Sequence, residues 1–217
     1  AYFIRGGDPS IPIVYEVERV RDGRSFTTRR VLGIQRGEAI FSLSASFQVS
    51  EEGLTHTEPA PDGVPGPDTL PDLGQRALSG DGVGWMGKVE RPLDIRYVDE
   101  PTWSPHRRPA SEEPMRVWMR ADGKLPDDPL LHICLLTYAS DLTLLGAVLA
   151  RHDVKDSVQM ASLDHAMWFH APFRADEWLL YTCYSPSASG ARGLSKGRFT
   201  TMDGRYVASA VQEGLVR

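Results

Sequence analysis

Three features of the 217-residue chain predict an α+β fold built from two related units. Segments of alternating apolar and polar residues, separated by glycine turns, open the chain. A single long apolar run, Pro129 to Ala150, has the length of a helix. A shift of 167 residues then lays the opening strands on a second set near the C-terminus.

The elements follow in order. Ile11, Ile13, Tyr15 and Val17 share one face of a first strand, with Glu16 and Glu18 on the other. That period of two is the mark of a half-buried strand. After the turn Asp22-Gly23, Ser25 to Gln35 makes a second. Beyond Arg36-Gly37, a third turns Ala39, Phe41, Leu43, Ala45, Phe47 and Val49 one way and Ser42, Ser44, Ser46 and Gln48 the other. Short glycine turns join the three into an antiparallel meander.

From Thr57 to Gly84 the character changes. Pro59, Pro61, Pro65, Pro67 and Pro71 alternate with glycines and few large apolar residues. A linker or surface connection is expected there, outside any core. The chain therefore divides into an incomplete first unit (1–56), a Pro/Gly-rich connection (57–84) and a second unit (85–217). Strand patterning resumes at Pro92 to Val98 and at Met115 to Arg120, where Met115, Val117 and Met119 alternate with Arg116, Trp118 and Arg120.

The helix starts with a cap candidate in Asp127-Asp128 and a proline at its first position, both favoured at helix N-termini. It shows no polar face, so burial nearly all round is expected. Strands return at Val158 to His170, Glu177 to Tyr184, Leu194 to Thr201 and Tyr206 to Val211.

Under the 167-residue shift, Gly23 falls on Gly190, Gly37 on Gly204, and the strand at Ile13 on the strand at Leu180. A helix and a lead-in strand precede the second copy, and nothing precedes the first. The chain has no initiator Met and starts at Ala1-Tyr2-Phe3-Ile4, which reads as the inside of a strand. The expectation is a piece of a longer chain whose first unit lacks its helix and lead-in strand, roughly 50–60 residues.

Composition excludes several classes. At 41% hydrophobic and 24% charged, the chain matches no disordered, collagen-like or disulfide-scaffold pattern. A net charge of -5 argues against a nucleic-acid partner, which calls for a basic stripe. Cys134 and Cys183 are isolated, so neither a zinc site nor a disulfide is suggested. A reducing compartment, and hence a cytoplasmic location, is the default. Pro129 to Ala150 is long enough for a bilayer, but Asp141 sits near its middle and no basic cluster flanks it, so no membrane span is expected.

Asp141 is the sharpest single residue. A carboxylate amid Leu135, Leu136, Leu142, Leu144 and Leu145 is costly to bury without compensation. It reads either as a cap or kink residue satisfying donors around Ser140, or as a carboxylate that orients or deprotonates a water. Within Ser162 to His170, strand parity puts Ser162, Asp164, Ala166 and Trp168 on one face and His165 on the other. Neighbours on a strand point to opposite sides, so no Ser-His-Asp relay forms among them, and a core strand with satisfied polar groups is the alternative. Gly193-Leu194-Ser195-Lys196-Gly197 fits the nucleophile elbow G-x-S-x-G. That elbow needs a following helix and a later His; here strand follows strand and no His lies beyond His170. Gln212 reads as a solvated strand-end amide or as a neutral donor for an oxyanion or a water. His165 and His170 have opposite parity and make a poor metal pair.

Several blocks resemble the acyl-CoA thioesterase II family. They are Tyr138-Ala139-Ser140-Asp141-Leu142, Asp164-His165-Ala166-Met167-Trp168-Phe169-His170, Ser189-Gly190-Ala191-Arg192-Gly193 and Val211-Gln212-Glu213-Gly214. Tyr2-Phe3-Ile4-Arg5, Gly7-Asp8-Pro9 and Arg21-Asp22-Gly23-Arg24-Ser25-Phe26 look like the same family's N-terminal half. The resemblance implies a double hotdog fold, two antiparallel sheets each wrapped around a central helix. It implies hydrolysis of medium to long fatty acyl-CoA thioesters to free acid and coenzyme A, with no metal or organic cofactor. The family's Asp, Thr and Gln fall on Asp141, Ser162 and Gln212, with Ser162 departing from the usual Thr. A serine keeps the hydroxyl but loses the methyl that limits its rotamer. Hotdog units pair through their sheets, so a homo-oligomer is expected. The alternatives are a non-catalytic acyl-CoA-binding module and a hotdog hydratase or dehydratase, though no Asp-x4-His pattern surrounds Asp141.

Overall fold

The structure, a computed structural model, describes residues 1–79, 91–106, 110–153 and 158–217. The expected boundary between connection and second unit, at residues 84 and 85, lies outside the described residues.

Strands β1 (Tyr2–Phe3), β2 (Val14–Asp22), β3 (Phe26–Gln35) and β4 (Glu38–Gln48) form an antiparallel sheet in the order β1-β4-β3-β2. The second sheet takes β5 (Leu93–Tyr97), β6 (Met115–Ala121), β7 (Met160–Ser162), β8 (Ala166–Phe169), β9 (Leu179–Ser189), β10 (Arg192–Thr201) and β11 (Tyr206–Val216). Its order is β5-β6-β9-β10-β11-β7, with β8 also paired to β11. Residues at the chain start stitch the sheets together. Phe3 N–H donates to the Leu163 carbonyl at 3.0 Å, and His165 N–H to the Ala1 carbonyl at 3.0 Å.

The repeat has a structural counterpart. Strands β2 and β9 end 167 residues apart, at Asp22 and Ser189. The paired turn glycines Gly37 (φ 78°) and Gly204 (φ 87°) both use left-handed backbone, which costs glycine least, whereas Gly23 does not share the positive φ of its counterpart Gly190 (φ 57°). The middle strands even share an irregularity, between Gly33 and Ile34 in β3 and between Phe199 and Thr200 in β10.

The expected single helix is two. Helix α2 (Pro129–Asp141) and helix α3 (Gly146–Ala150) are separated by a tight turn over 142–145. Across it the amides reach back only three residues, as in Leu142 to Ala139 and Gly146 to Thr143. The Asp128 side chain accepts from the Leu130 amide at 3.0 Å and caps α2. Burial all round does not hold either. His132, Leu136, Ala139 and Ser140 form one buried stripe, while Leu130, Leu131 and Tyr138 are exposed. Helix α3 is set deeper, with Ala147 and Val148 buried against β9 and β10.

Two other expectations need correction. The connection is more than a surface linker: it carries helix α1 (Leu73–Leu78), and Val64 and Leu70 pack on Trp118, Trp178 and Leu180. Trp118 Nε1 donates to the Pro65 carbonyl at 2.9 Å, and Arg96 to the Pro67 carbonyl at 2.9 Å. Sheet residues on β6 are therefore buried on both faces, which a period of two cannot reveal. Strand β2, read as half-buried, is exposed along its whole length.

Candidate active site

The site is assembled from the end of α2, the segment between β7 and β8, and the middle of β11. Asp141 is the last residue of α2, at the break, with its side chain 47% exposed. It does not cap the helix. Its Oδ1 accepts from Gln212 Nε2 at 2.6 Å, and the same Nε2 donates to Ser162 Oγ at 2.8 Å. The carboxylate, hydroxyl and amide picked out in the sequence thus meet at one nitrogen, from positions 71 and 50 residues apart.

Gln212 is no strand-end residue. Strand β11 runs on to Val216, and Gln212 is fully buried in its middle. Its directly opposed partner on β10 is Ser195, also fully buried. Ser195 is the serine of the G-x-S-x-G sequence, and packing accounts for that pattern's glycines. A Cβ on Gly193 would come within 2.6 Å of Val148, and one on Gly197 within 2.3 Å of the Tyr181 ring. The glycines let α3 and an aromatic ring settle directly onto the strand. Tyr181 also stacks on Phe199 at 3.8 Å and donates from its hydroxyl to the Ser140 carbonyl at 3.1 Å, tying the end of α2 to the sheet.

The segment between β7 and β8 departs from the parity read in the sequence. Ser162 pairs with Gly214 and Ala166 with Val211, so four steps on one strand oppose three on the other. The amides of Leu163 and Asp164 both donate to the Glu213 carbonyl, at 3.0 and 3.3 Å, and Asp164 Oδ1 accepts from the Glu213 amide at 2.8 Å. This is a β-bulge, and its extra residue shifts the alternation of side chains by one. Ser162 and His165 consequently face the same centre. His165 Nε2 lies 2.8 Å from Ser140 Oγ, and Nδ1 lies 3.9 Å from Asp141 Oδ1.

His165 is the residue that the sequence reading set aside. Its ring is 8% exposed, and burial lowers its pKa, against opposing contributions from the Asp141 carboxylate and the Gln212 side chain. No signal in the sequence marks it, because the bulge that turns the ring is closed by Asp164 only against Glu213 of β11. His170 is turned elsewhere: its Nε2 meets Ser209 Oγ at 2.7 Å. Among the described residues, no group of three or more His, Cys, Asp or Glu side chains is placed to hold a metal ion.

The architecture defines the class. A 19%-identical structure from Alicyclobacillus acidocaldarius, a conserved protein of unknown function with hot dog fold, aligns over 94% of this chain and 72% of its own with a TM-score of 0.70. The molecule is a double hotdog protein with a carboxylate, an amide and a hydroxyl gathered at one helix end. The sequence pattern of acyl-CoA thioesterases matches residues 95–215, and that of the acyl-CoA thioesterase N-terminal domain matches residues 1–48. The chain belongs to the acyl-CoA thioesterase family, a family of thioester hydrolases. Its relatives include acyl-coenzyme A thioesterase 8 of Mus musculus, 40% identical over all of this chain and 71% of the mouse protein. Acyl-CoA thioesterase 2 of Haemophilus influenzae is 34% identical over the whole chain and 78% of its own length. The crystal structure of the acyl-CoA thioesterase II TesB2 from Mycobacterium marinum is 46% identical, covers 100% of this chain and 78% of its own, and aligns with a TM-score of 0.82.

Proposed function

We propose that the chain hydrolyses medium to long fatty acyl-CoA thioesters to free fatty acid and coenzyme A, with water activated by Asp141 and positioned by Ser162 and Gln212. The observation that carries this reading is the forked donation of Gln212 Nε2 to Asp141 Oδ1 and Ser162 Oγ, beside a carboxylate that solvent reaches. A water held by Asp141 and the Ser162 hydroxyl has a base and an orienting partner in fixed relation. Its oxygen bonds to the thioester carbonyl carbon while its proton passes to the Asp141 carboxylate. Collapse of the tetrahedral intermediate breaks the C–S bond and releases coenzyme A thiolate, a good leaving group that takes its proton from solvent. Gln212 keeps the carboxylate in place throughout, because its amide is buried and donates to both neighbours.

The protein is read as a cytoplasmic homo-oligomer, with Pro129 to Ala150 as the core helix pair of a hotdog unit and not a membrane span. The mass in solution by sedimentation, against 24.0 kDa for one chain, checks the oligomer.

The deciding experiment measures thiol release from butyryl-, decanoyl- and palmitoyl-CoA by the wild-type chain and by Asp141→Ala. Turnover of the longer substrates, lost in a folded Asp141→Ala, is the expected result. Binding of acyl-CoA with no thiol release by the wild type would instead establish a non-catalytic binding module.

A further inference from the structure

Helix α2 breaks after Asp141, and the break leaves a buried carbonyl to be satisfied. In an unbroken helix the Ser140 carbonyl would accept from the Leu144 amide. Here Leu144 lies in the turn over 142–145. The backbone bonds across that turn, Leu142 to Ala139 and Gly146 to Thr143 among them, pass the Ser140 carbonyl by. Its donor comes from the sheet instead: the Tyr181 hydroxyl of β9 donates to it at 3.1 Å. A buried carbonyl without a donor is costly, so the phenol stands in for the interrupted helix.

Tyr181 is seated firmly enough to be a fixed point. It is fully buried, and its ring stacks on Phe199 of β10 at 3.8 Å with the two planes within 5° of parallel. The ring also lies over the bare backbone of Gly197, where a Cβ would come within 2.3 Å of the ring and 2.8 Å of the hydroxyl oxygen. Any side chain at 197 would displace that hydroxyl. Burial raises the phenol pKa well above its ordinary value, so the hydroxyl keeps its proton and stays a donor. A phenylalanine would fill the same space, so packing alone does not call for the hydroxyl.

Ser140 is thereby held at both its carbonyl and its side chain, whose hydroxyl donates to the Thr137 carbonyl at 2.8 Å and lies 2.8 Å from His165 Nε2. Asp141 is the next residue, and its half-exposed carboxylate meets Gln212 Nε2 at 2.6 Å. Building on the hydrolytic reading, we propose that Tyr181 is a positioning residue for Asp141: its hydroxyl fixes the last turn of α2 against the sheet, so that the carboxylate meets Gln212 and the attacking water in the working geometry. A misplacement of about 1 Å at a reacting group can cost about 10²-fold in rate, and the bond to Ser140 lies one residue from that group. Tyr181 touches neither water nor thioester in this scheme and acts through the Ser140 backbone.

The test compares Tyr181→Phe with the wild type in the full chain, since this substitution removes the hydroxyl and keeps the stacked ring. With decanoyl-CoA the expected result is a kcat at least about tenfold lower, a KM within about twofold of the wild type, and an unchanged circular dichroism spectrum. Hydrogen exchange adds a readout that needs no substrate. The amides of 141–145 should exchange at least about tenfold faster in Tyr181→Phe, while those of β10 keep their rates. Wild-type kcat in Tyr181→Phe would overturn the assignment, and so would a raised KM at unchanged kcat, which would mark a role in substrate binding. Unchanged exchange at 141–145 would overturn it as well, because the turn would then be held without the hydroxyl. Should the wild-type chain release no thiol from any acyl-CoA, the hydrolytic reading fails, and exchange still decides whether Tyr181 holds the helix end.

Discussion

Gln212 Nε2 stands 2.6 Å from Asp141 Oδ1, joining the middle of a buried strand to the last residue of a helix 71 positions earlier. The amide supplies two donors, and both are engaged, on Asp141 and on Ser162. Shortening or deleting it separates the carboxylate from the hydroxyl. Gln212→Ala should lower kcat by about 10²-fold, the scale of a lost preorganised donor. Gln212→Asn, one methylene short of reaching both partners, should fall nearly as far. Steady-state thiol release checks both, and wild-type kcat in either would remove Gln212 from the mechanism.

Ser162 contributes a hydroxyl whose χ1 nothing on Cβ restricts. Ser162→Ala should reduce kcat by about tenfold, the worth of one hydrogen bond in the reacting geometry. Ser162→Thr keeps the hydroxyl and adds a methyl that narrows χ1, at a site only partly buried. Its kcat should match or exceed that of the wild type. A collapse of activity in Ser162→Thr would show that the site has no room for the methyl.

Asp164 holds the bulge closed through its bond to the Glu213 amide at 2.8 Å. Asp164→Ala leaves that amide without its acceptor and should cost about 1–2 kcal/mol in denaturant unfolding. Because the bulge sets where Ser162 and His165 point, kcat should fall as well. Asp164→Asn retains an accepting oxygen and should recover most of both losses. A stable, fully active Asp164→Ala would mean that the ladder alone maintains the bulge.

His165 also links stability to pH. Burial lowers its pKa below the ordinary 6.5, Asp141 and Asp164 oppose the shift, and the amino group of Ala1 reinforces it. The unfolded chain thus takes up this proton first as pH falls, so stability is full above about 6.5 and declines below it. The melting temperature should drop as pH falls below about 6.5, and His165→Asn should flatten that part of the curve. A parallel decline in wild type and variant would place the titrating group elsewhere.

Much of this architecture is legible along the chain because it depends on local periodicity. The alternation at Ala39 to Val49, the turn glycines Gly37 and Gly190, and Asp128 before Pro129 each report a conformation decided by a few neighbouring residues. The repeat is legible for the same reason, since its two copies obey the same local rules. Asp141 stands out by its apolar neighbours alone. Its partners Ser162 and Gln212 are reached through the family resemblance, and spacing alone leaves both open to a bland reading.

The rest belongs to the tertiary structure. Alternation gives a side chain's direction only while the ladder is unbroken, and the bulge at Leu163 and Asp164 arises from a mismatch with β11, some 50 residues away. That mismatch turns His165 toward Asp141, which no pattern within 162–170 encodes. The double burial of β6 depends likewise on a proline-rich connection folding back onto the sheet, and the close seat of α3 on the bare backbone of Gly193. Periodicity is a property of one segment, whereas register, bulges and close packing are agreements between two, and the site lies where three segments meet.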